Sequence, residues 1–388
     1  MNVWVIGRGY PTKFNSAKGS FEFEQAKMLA KEGCKVTYLA LIFHPFKKIK
    51  KWGYYTWKEN DITICTYSQI YFPERMRYYI EKFQKKKWKE FLGLVEKQCG
   101  IPDVIHVHYP TLITDAETII SYKKKKVKIV VTEHWTKVLT GEINEYERKR
   151  LNSYIDEASY FLCVGNPLKE AIKKISNTQR KIYVVPNIVS DEFRYVCPQR
   201  KQYYEFVTVG RLVKIKQFDK VIETFNREFG NEQKNVKLII IGDGKERKEL
   251  ERIVKRNNLQ NVVRFTGTLT REDTAKTIIK ADALICYSRL ETFGVPVIEA
   301  WACGKPVIAS DRLGFLEYWK DELGEIVAWN DETSLRRAMR KIYDDRGYYF
   351  NCGEMISEYA FDKFGEKCVS AMLLKMYGQD SLETDEGV

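Results

Sequence analysis

The stretch Ser288 to Gly304, SRLETFGVPVIEAWACG, constrains this chain more tightly than any other. It lies between two apolar runs, Ala283-Leu-Ile-Cys-Tyr287 and Lys305-Pro-Val-Ile-Ala-Ser310, each of which reads as a buried strand. Pro296 suits the first turn of a helix between them, and Gly304 suits its left-handed stop. Glu291 falls just before that helix and Glu299 inside it, which sets them ~12 Å apart along the axis. Such a pair can hold two ends of an elongated polar ligand whose anionic middle meets the helix N-terminus. The amides of Thr292, Phe293 and Gly294 point there, aided by the positive end of the helix dipole. Taken alone, two carboxylates at this spacing are equally compatible with surface charges.

The rest of the chain alternates strands and helices. Val3-Trp-Val-Ile6 reads as a first strand, followed by Gly7-Arg-Gly9 and a loop through Gly19. A helix over Phe21 to Glu32 ends at Gly33, and Val36 to Leu41 is a second strand. That order opens a doubly wound domain, although Gly7-x-Gly9 lacks the third glycine of a dinucleotide fingerprint. Asp103-Val-Ile-His-Val-His108 puts His106 and His108 on one face of a strand. With no third ligand nearby, a structural or cleft-lining role suits them better than a metal. Lys128-Ile-Val-Val-Thr-Glu-His134 delivers polar groups to the C-terminal end of the next strand, the edge at which open parallel sheets bind ligands. The polar run Tyr195 to Tyr204 reads as a linker, and Glu205-Phe-Val-Thr-Val-Gly210 starts a second alternating domain. At 388 residues, two domains each have room for a core.

Charge enters where partners are concerned. The net charge of +13 suits nucleic acid, an anionic membrane surface or an anionic substrate. No zinc finger, RNP motif or helix-turn-helix supports the first, so no nucleic acid is expected. The basic residues cluster with aromatics in two segments, His44 to Trp57 and Arg75 to Leu94. Lys47, Lys48, Lys50, Lys51, Lys85, Lys86 and Lys87 are the candidates for a membrane or acceptor surface, with the aromatics at the lipid interface. The alternative is a solvated helix, Arg75 to Leu94, whose aromatics are core. No run approaches the ~20 apolar residues of a membrane span. The nine cysteines, with no CxxC, argue for reduced thiols in a cytoplasmic protein, peripheral at the inner membrane face if the basic segments bind lipid.

Glu291-x7-Glu299 within ETFGVPVIEAWACGKPVIAS resembles the signature of retaining glycosyltransferases of the GT-B fold, family 4. VGRLVKIKQFD resembles the family's GRL…KG.D, which implies that Arg211 and Lys216 hold the donor diphosphate, with Gln217 in place of the usual glycine. By the same resemblance Gly210, Gly242 and Gly267 belong to the donor site. Gly19, followed by Ser20 rather than a second glycine, matches the first-loop glycine that lets the backbone approach the phosphates. His134 matches the histidine that faces the transferred sugar. Pro186-Asn187 followed by Asp191 and Phe193 resembles the crossing segment, with Ile188 where the family has glycine.

The fold implied is α/β, GT-B, with two Rossmann-like doubly wound domains facing across a cleft and a final helix returning to the first. The domains expected are an acceptor-side domain over 1–195, a nucleotide-sugar donor domain over 196–353, a helix over 354–377 crossing back, and a disordered acidic tail over 378–388. The function implied is retaining transfer of a sugar, from a UDP-sugar ahead of a GDP-sugar, to a hydroxyl of a glycan or lipid-linked acceptor in surface polysaccharide or glycolipid synthesis. Arg211, Lys216, Glu291 and His134 would be catalytic, and Glu299 would accept the ribose hydroxyls. No cofactor and no metal are expected, since no DxD motif appears in a supporting setting. A GT-B epimerase or phosphorylase, or a non-catalytic nucleotide-sugar-binding protein, remains the alternative.

Overall fold

The apolar runs pair into two sheets. In the computed structural model, residues 1–11, 19–44, 52–70, 77–199, 201–230 and 235–378 are described. The first sheet contains β1 (Asn2–Ile6), β2 (Lys35–His44), β3 (Gly53–Glu59), β4 (Ile62–Ile70), β5 (Val104–His108), β6 (Lys128–Glu133), β7 (Tyr160–Cys163) and β8 (Tyr183–Val184). Their order is β3-β4-β2-β1-β5-β6-β7-β8, parallel except for the β3–β4 hairpin. The central strands β1, β5 and β6 are buried on both faces and are mostly Val and Ile without a polar alternation. Winding proceeds outward from β1 to β2, then restarts on the other side of β1 with β5. The loops after β1 and β5 therefore part, and a crevice opens at the C-terminal edge between them.

The second sheet contains β9 (Tyr204–Val209), β10 (Val236–Ile241), β11 (Val263–Gly267), β12 (Ala283–Cys286), β13 (Val307–Ser310) and β14 (Gly324–Val327). The order β11-β10-β9-β12-β13-β14 is wholly parallel and reverses its winding between β9 and β12. Amphipathic helices cover it. The helix Phe218–Phe229, for example, buries Phe218, Val221, Ile222, Phe225 and Phe229 along one face.

The sequence reading met its limits in three places. The β3–β4 hairpin was not anticipated. Its turn uses Asn60 and Asp61, both at positive φ (48° and 59°), as a two-residue hairpin turn requires. The second basic segment is helical over Arg77–Cys99, but Trp88 is 1% exposed and packs on Phe91 in the core, so it is not an interface aromatic. The single helix expected over 354–377 is two, Arg346–Phe364 and Glu366–Gly378. They break at Gly365 (ψ 158°), after Phe364 has set its ring against Phe315 and Trp301.

The chain divides into two compact units. The first comprises residues 1–188, rejoined by the chain from Val369 onward; the second is Val189–Cys368. The run 195–204 read as the linker thus belongs to the second unit. In the first, Val369, Leu373 and Tyr377 of the returning helix pack with Val3, Val5, Val36 and Val130. The Tyr377 hydroxyl hydrogen-bonds His106 Nδ1 at 2.5 Å, and His106 Nε2 meets Thr132 Oγ1 at 2.7 Å. Among the described residues no helix is long and apolar enough to cross a membrane.

At Gly242 and Gly19, close approach demands glycine. A Cβ on Gly242 (φ 135°) would lie 1.9 Å from the Gly210 carbonyl oxygen, and one on Gly19 (φ 81°) 2.1 Å from that of Gly9. Gly210 donates its N–H to Ile241, and Gly242 donates to Gly267, so the loops after β9, β10 and β11 are laced together. Gly242→Ala should accordingly cost roughly 1–3 kcal/mol in urea unfolding, and a variant as stable as the parent would show that the loops have room to part.

His106, His108 and His134 are buried, and burial first, then neighbouring positive charge, holds all three well below the ordinary histidine value of 6.5. The unfolded chain binds these protons near pH 6.5 and the folded chain refuses them. Their contribution to stability is therefore present above that pH and declines as pH falls below it, by up to about 1.4 kcal/mol per pH unit for each histidine held neutral. Glu133, raised by burial, acts in the opposite sense near the carboxylate range. Urea titrations at pH 7.5, 6.5 and 5.5 should show falling stability, with a shallower fall in His108→Gln; a flat profile would contradict the buried neutral row.

Candidate active site

In the first unit, the loops after β1, β5 and β6 gather a row of stacked side chains at the C-terminal edge. Glu22, fully buried on the helix Ser20–Lys31, accepts a hydrogen bond from Arg8 Nε at 2.8 Å. The Arg8 guanidinium lies 3.7 Å from the Tyr109 ring centroid, and that ring stacks on His134 at 4.7 Å. His134 Nε2 and His108 Nδ1 share a hydrogen bond of 2.9 Å, and His108 stacks on His106 at 4.4 Å. Burial alone would lower the Arg8 pKa, but the charge of Glu22 outweighs it, and the guanidinium stays ionised. Glu133 takes no part in the row. Its carboxylate accepts the N–H groups of His134, Trp135 and Thr111, at 2.8, 2.9 and 3.3 Å, and so fixes the loop that presents His134.

His134 thus lies just past the C-terminal end of β6 with His108 hydrogen-bonded to it, and His106 is consumed by the core. Arg8, Glu22 and Tyr109 escaped the sequence reading; the single signal was an arginine between the two glycines of the first βα loop. Gly19 caps the helix Ser20–Lys31 in the left-handed conformation, and Tyr38 donates its hydroxyl to Gly9 O at 2.6 Å beneath that loop.

In the second unit, the winding reversal between β9 and β12 brings Lys216 and Glu291 together. Lys216 ends a short turn after β9 and donates to Glu291 Oε1, which also accepts the Ser288 hydroxyl at 2.7 Å. Burial pulls the Lys216 ammonium down, but the charge of Glu291 prevails and its pKa sits above the ordinary lysine value. Arg211 is exposed beside it, close enough for its charge to oppose that of Lys216. Gln217 adopts φ 51°, ψ 38°, so the loop keeps the geometry that glycine would take freely, at a cost of about 1–2 kcal/mol. The loop after β12 is pinned on both sides, by Arg289 N–H to Ile215 O and by Glu291 N–H to Arg312 O.

The helix Val295–Ala302 begins at Gly294 (φ 114°) with Pro296 in its first turn, and Gly304 (φ 72°) follows its end. The amides of Thr292, Phe293 and Gly294 meet no acceptor among the described residues. The Phe293 side chain is core, its ring tilted against Phe315 at 4.6 Å, so only its backbone is left to meet a ligand. Glu299 is buried and pairs with Arg271 Nη1 at 3.2 Å; Arg271 in turn donates to Ser190 Oγ at 2.7 Å and lies over Phe193. Arg271 was also missed, being one charge in the first turn of a helix with no periodic signal. Gly210, Gly242 and Gly267 line the same edge through the bonds described above.

Lys47, Lys48, Lys50 and Lys51 lie outside the described residues. Lys85 pairs with Glu117 at 2.5 Å and Lys87 with Glu90 at 2.8 Å, while Lys86 is exposed. Among the described residues no group of three His, Cys, Asp or Glu side chains is placed to hold a metal ion.

Residues 189–361 match the family described as Glycosyl transferases group 1, and residues 23–193 match Glycosyltransferase Family 4. The chain is 31% identical over 256 residues to the lipopolysaccharide core biosynthesis glycosyltransferase LpsD of Rhizobium meliloti, covering 62% of this chain and 72% of that protein. It is 23% identical over 325 residues to N-acetyl-alpha-D-glucosaminyl L-malate synthase of Bacillus anthracis, covering 78% and 83%. Of other curated relatives it spans about half the length. The fold matches that of Anabaena HepE, solved in complex with UDP and glucose, with a TM-score of 0.70 at 15% identity over 97% of this chain and 98% of that one. The chain belongs to the GT-B-fold glycosyltransferases of group 1 and family 4, which act on a nucleotide-sugar donor.

Proposed function

We propose that the protein is a metal-independent, retaining glycosyltransferase that moves a sugar from a UDP-sugar to a hydroxyl of a glycan or lipid-linked acceptor. The observation that carries this reading is the Lys216–Glu291 contact beside Arg211, next to a helix N-terminus whose first amides lack acceptors. Two cations and a helix N-terminus gather there against one carboxylate, Glu291. A diphosphate is the anion that balances them. Arg211 and Lys216 then stabilise the negative charge that grows on the leaving phosphate as the sugar–phosphate bond breaks. Glu291, sharing its proton donors, is left to accept hydroxyls of the sugar. Glu299, oriented by Arg271, accepts the ribose hydroxyls. In a front-face reaction the departing phosphate oxygen takes the acceptor's hydroxyl proton, and the acceptor oxygen bonds to the anomeric carbon on the face just vacated. His134, neutral at pH 7, contributes a hydrogen bond to the transferred sugar and not a charge.

The UDP preference is supported by the named ligand of the Anabaena neighbour, and the lipid-linked acceptor by the named pathway of the Rhizobium relative. Incubation with a panel of nucleotide sugars in excess chelator, with the product's anomeric configuration read by NMR, tests all three parts. An inverted product, loss of activity in chelator, or epimerised donor without transfer would each overturn the corresponding part.

Lys216→Ala should lower kcat about 10²–10³-fold with a smaller change in KM, since leaving-group charge peaks in the transition state. A change in KM alone would place Lys216 in ground-state binding. Glu299→Ala should weaken UDP binding by ~1.5–3 kcal/mol in calorimetry, and unchanged affinity in a folded variant would remove it from the ribose site.

A seat at the membrane's inner face rests on the basic segments of the first unit. Lys85 and Lys87 already have acidic partners, which leaves the larger share to the 47–51 segment. Wild-type protein should bind anionic vesicles at low salt and release them as salt screens the attraction. Replacing Lys47, Lys48, Lys50 and Lys51 by Glu should abolish that binding and spare UDP binding. A protein that ignores such vesicles at low salt points to a soluble acceptor.

A further inference from the structure

At the opposite edge of the second sheet, where β9, β12 and β13 begin, the unit carries a second groove of about 590 Å³. Because the sheet is parallel, this edge lies a full strand length from Lys216 and Glu291. Its charged lining is unbalanced: Lys201, Lys305 and Arg346 against Asp282 alone. Asp282 is already engaged, accepting from Lys201 Nζ and from the Glu205 amide, each at 2.7 Å. Lys305, 4% exposed, has no ion pair among the described residues. Tyr204, 7% exposed, has a hydroxyl that is buried without a partner, near Asp282, Tyr349 and Arg346. Asp282 is near enough to attract the Lys305 ammonium without pairing with it, and a buried hydroxyl with no partner, as on Tyr204, is rare in native proteins unless something else meets it.

The rest of the lining narrows what that is. Arg346 stands at the exposed rim, its guanidinium stacked over Tyr343 and donating to the Tyr343 carbonyl at 2.9 Å. Tyr195 and Tyr349 supply aromatic faces, and the amides of Gln199, Gln202, Asn235 and Asn351 supply paired donors and acceptors. Cations at the base and rim suit a phosphate. Aromatic walls with several neutral amides suit a ring that carries many hydroxyls.

We propose that this groove is a binding site for a monosaccharide phosphate, separate from the donor site. The phosphate meets the Lys305 ammonium and accepts from the Tyr204 hydroxyl, with Arg346 closing on it from the rim. The sugar ring lies along the aromatic wall with its hydroxyls on the amides. Burial lowers the Lys305 pKa, and an arriving dianion reverses that effect, so binding is accompanied by proton uptake when it is measured at high pH.

The test is calorimetry on the full chain with glucose 6-phosphate, glucose, inorganic phosphate and UMP as probes. Glucose 6-phosphate should bind more tightly than inorganic phosphate or UMP, and glucose should give no heat. Lys305→Met should weaken glucose 6-phosphate at least tenfold while its circular dichroism and unfolding midpoint stay at parental values or above. If that variant does not fold, Arg346→Gln at the exposed rim replaces it under the same criterion. No binding at millimolar glucose 6-phosphate, equal affinity for glucose, tighter binding of UMP, or unchanged affinity in the folded variant overturns the site.

Discussion

The reversal of winding within each parallel sheet is the constraint on which everything functional here depends. A parallel strand pair must be joined by a crossover, so every loop after a strand emerges at the same edge. Where successive crossovers go to opposite faces, two neighbouring loops diverge and cannot fill the space between them. In the first unit this happens between β1 and β5, and Arg8 and the His108–Tyr109 pair are what those loops carry. In the second it happens between β9 and β12, which carry Lys216 and Glu291. No separate device is needed to make either crevice; the strand order makes both.

Charge in these crevices is arranged in pairs. Arg8 with Glu22, Lys216 with Glu291 and Arg271 with Glu299 each set a cation against a carboxylate that is less exposed than itself. Leaving one partner of a buried pair alone costs about 3–5 kcal/mol, and rather less for Lys216, which keeps 20% of its side-chain surface. An apo site lined by unpaired cations would therefore be hard to keep folded. Pairing keeps it stable and also sets the exchange a ligand must make. On the proposed reading, a diphosphate reaching Lys216 would not meet a bare charge. It would share the ammonium with Glu291, whose released lone pairs would become available to sugar hydroxyls. One ion pair would then read both halves of the donor.

How much of this was visible in the chain depended on whether a residue belonged to a pattern. Glu291, Glu299, Pro296 and Gly304 are fixed relative to one another by a helix between two strands, so their spacing carried them. Lys216 and Gln217 were legible as a frame, and Gln217 kept the turn that glycine would have made because the laced loops around it hold it there. Arg8 and Arg271 belong to no period. Their partners, Glu22 and Glu299, are 14 and 28 positions away, and only the tertiary fold brings them into contact. Trp88 failed for a related reason. A basic amphipathic helix looks alike whether its aromatic face meets lipid or its own core, and the choice was made by Phe91 and the sheet behind it.

The returning helix shows how far such dependence extends. Its last described turn places Tyr377 against His106, whose ring stacks on His108, which hydrogen-bonds His134. The three imidazoles are neutral because they are buried, and one side of that burial is supplied by Val369, Leu373 and Tyr377. Water admitted at Tyr377 would let His106 take a proton, and that charge would oppose protonation of its neighbours along the row. The protonation state of the residue proposed to face the sugar is thus held partly by residues that come 235 or more positions later in the chain. Nothing in the local sequence around His134 states this, and it explains why the first unit is incomplete without the chain's return.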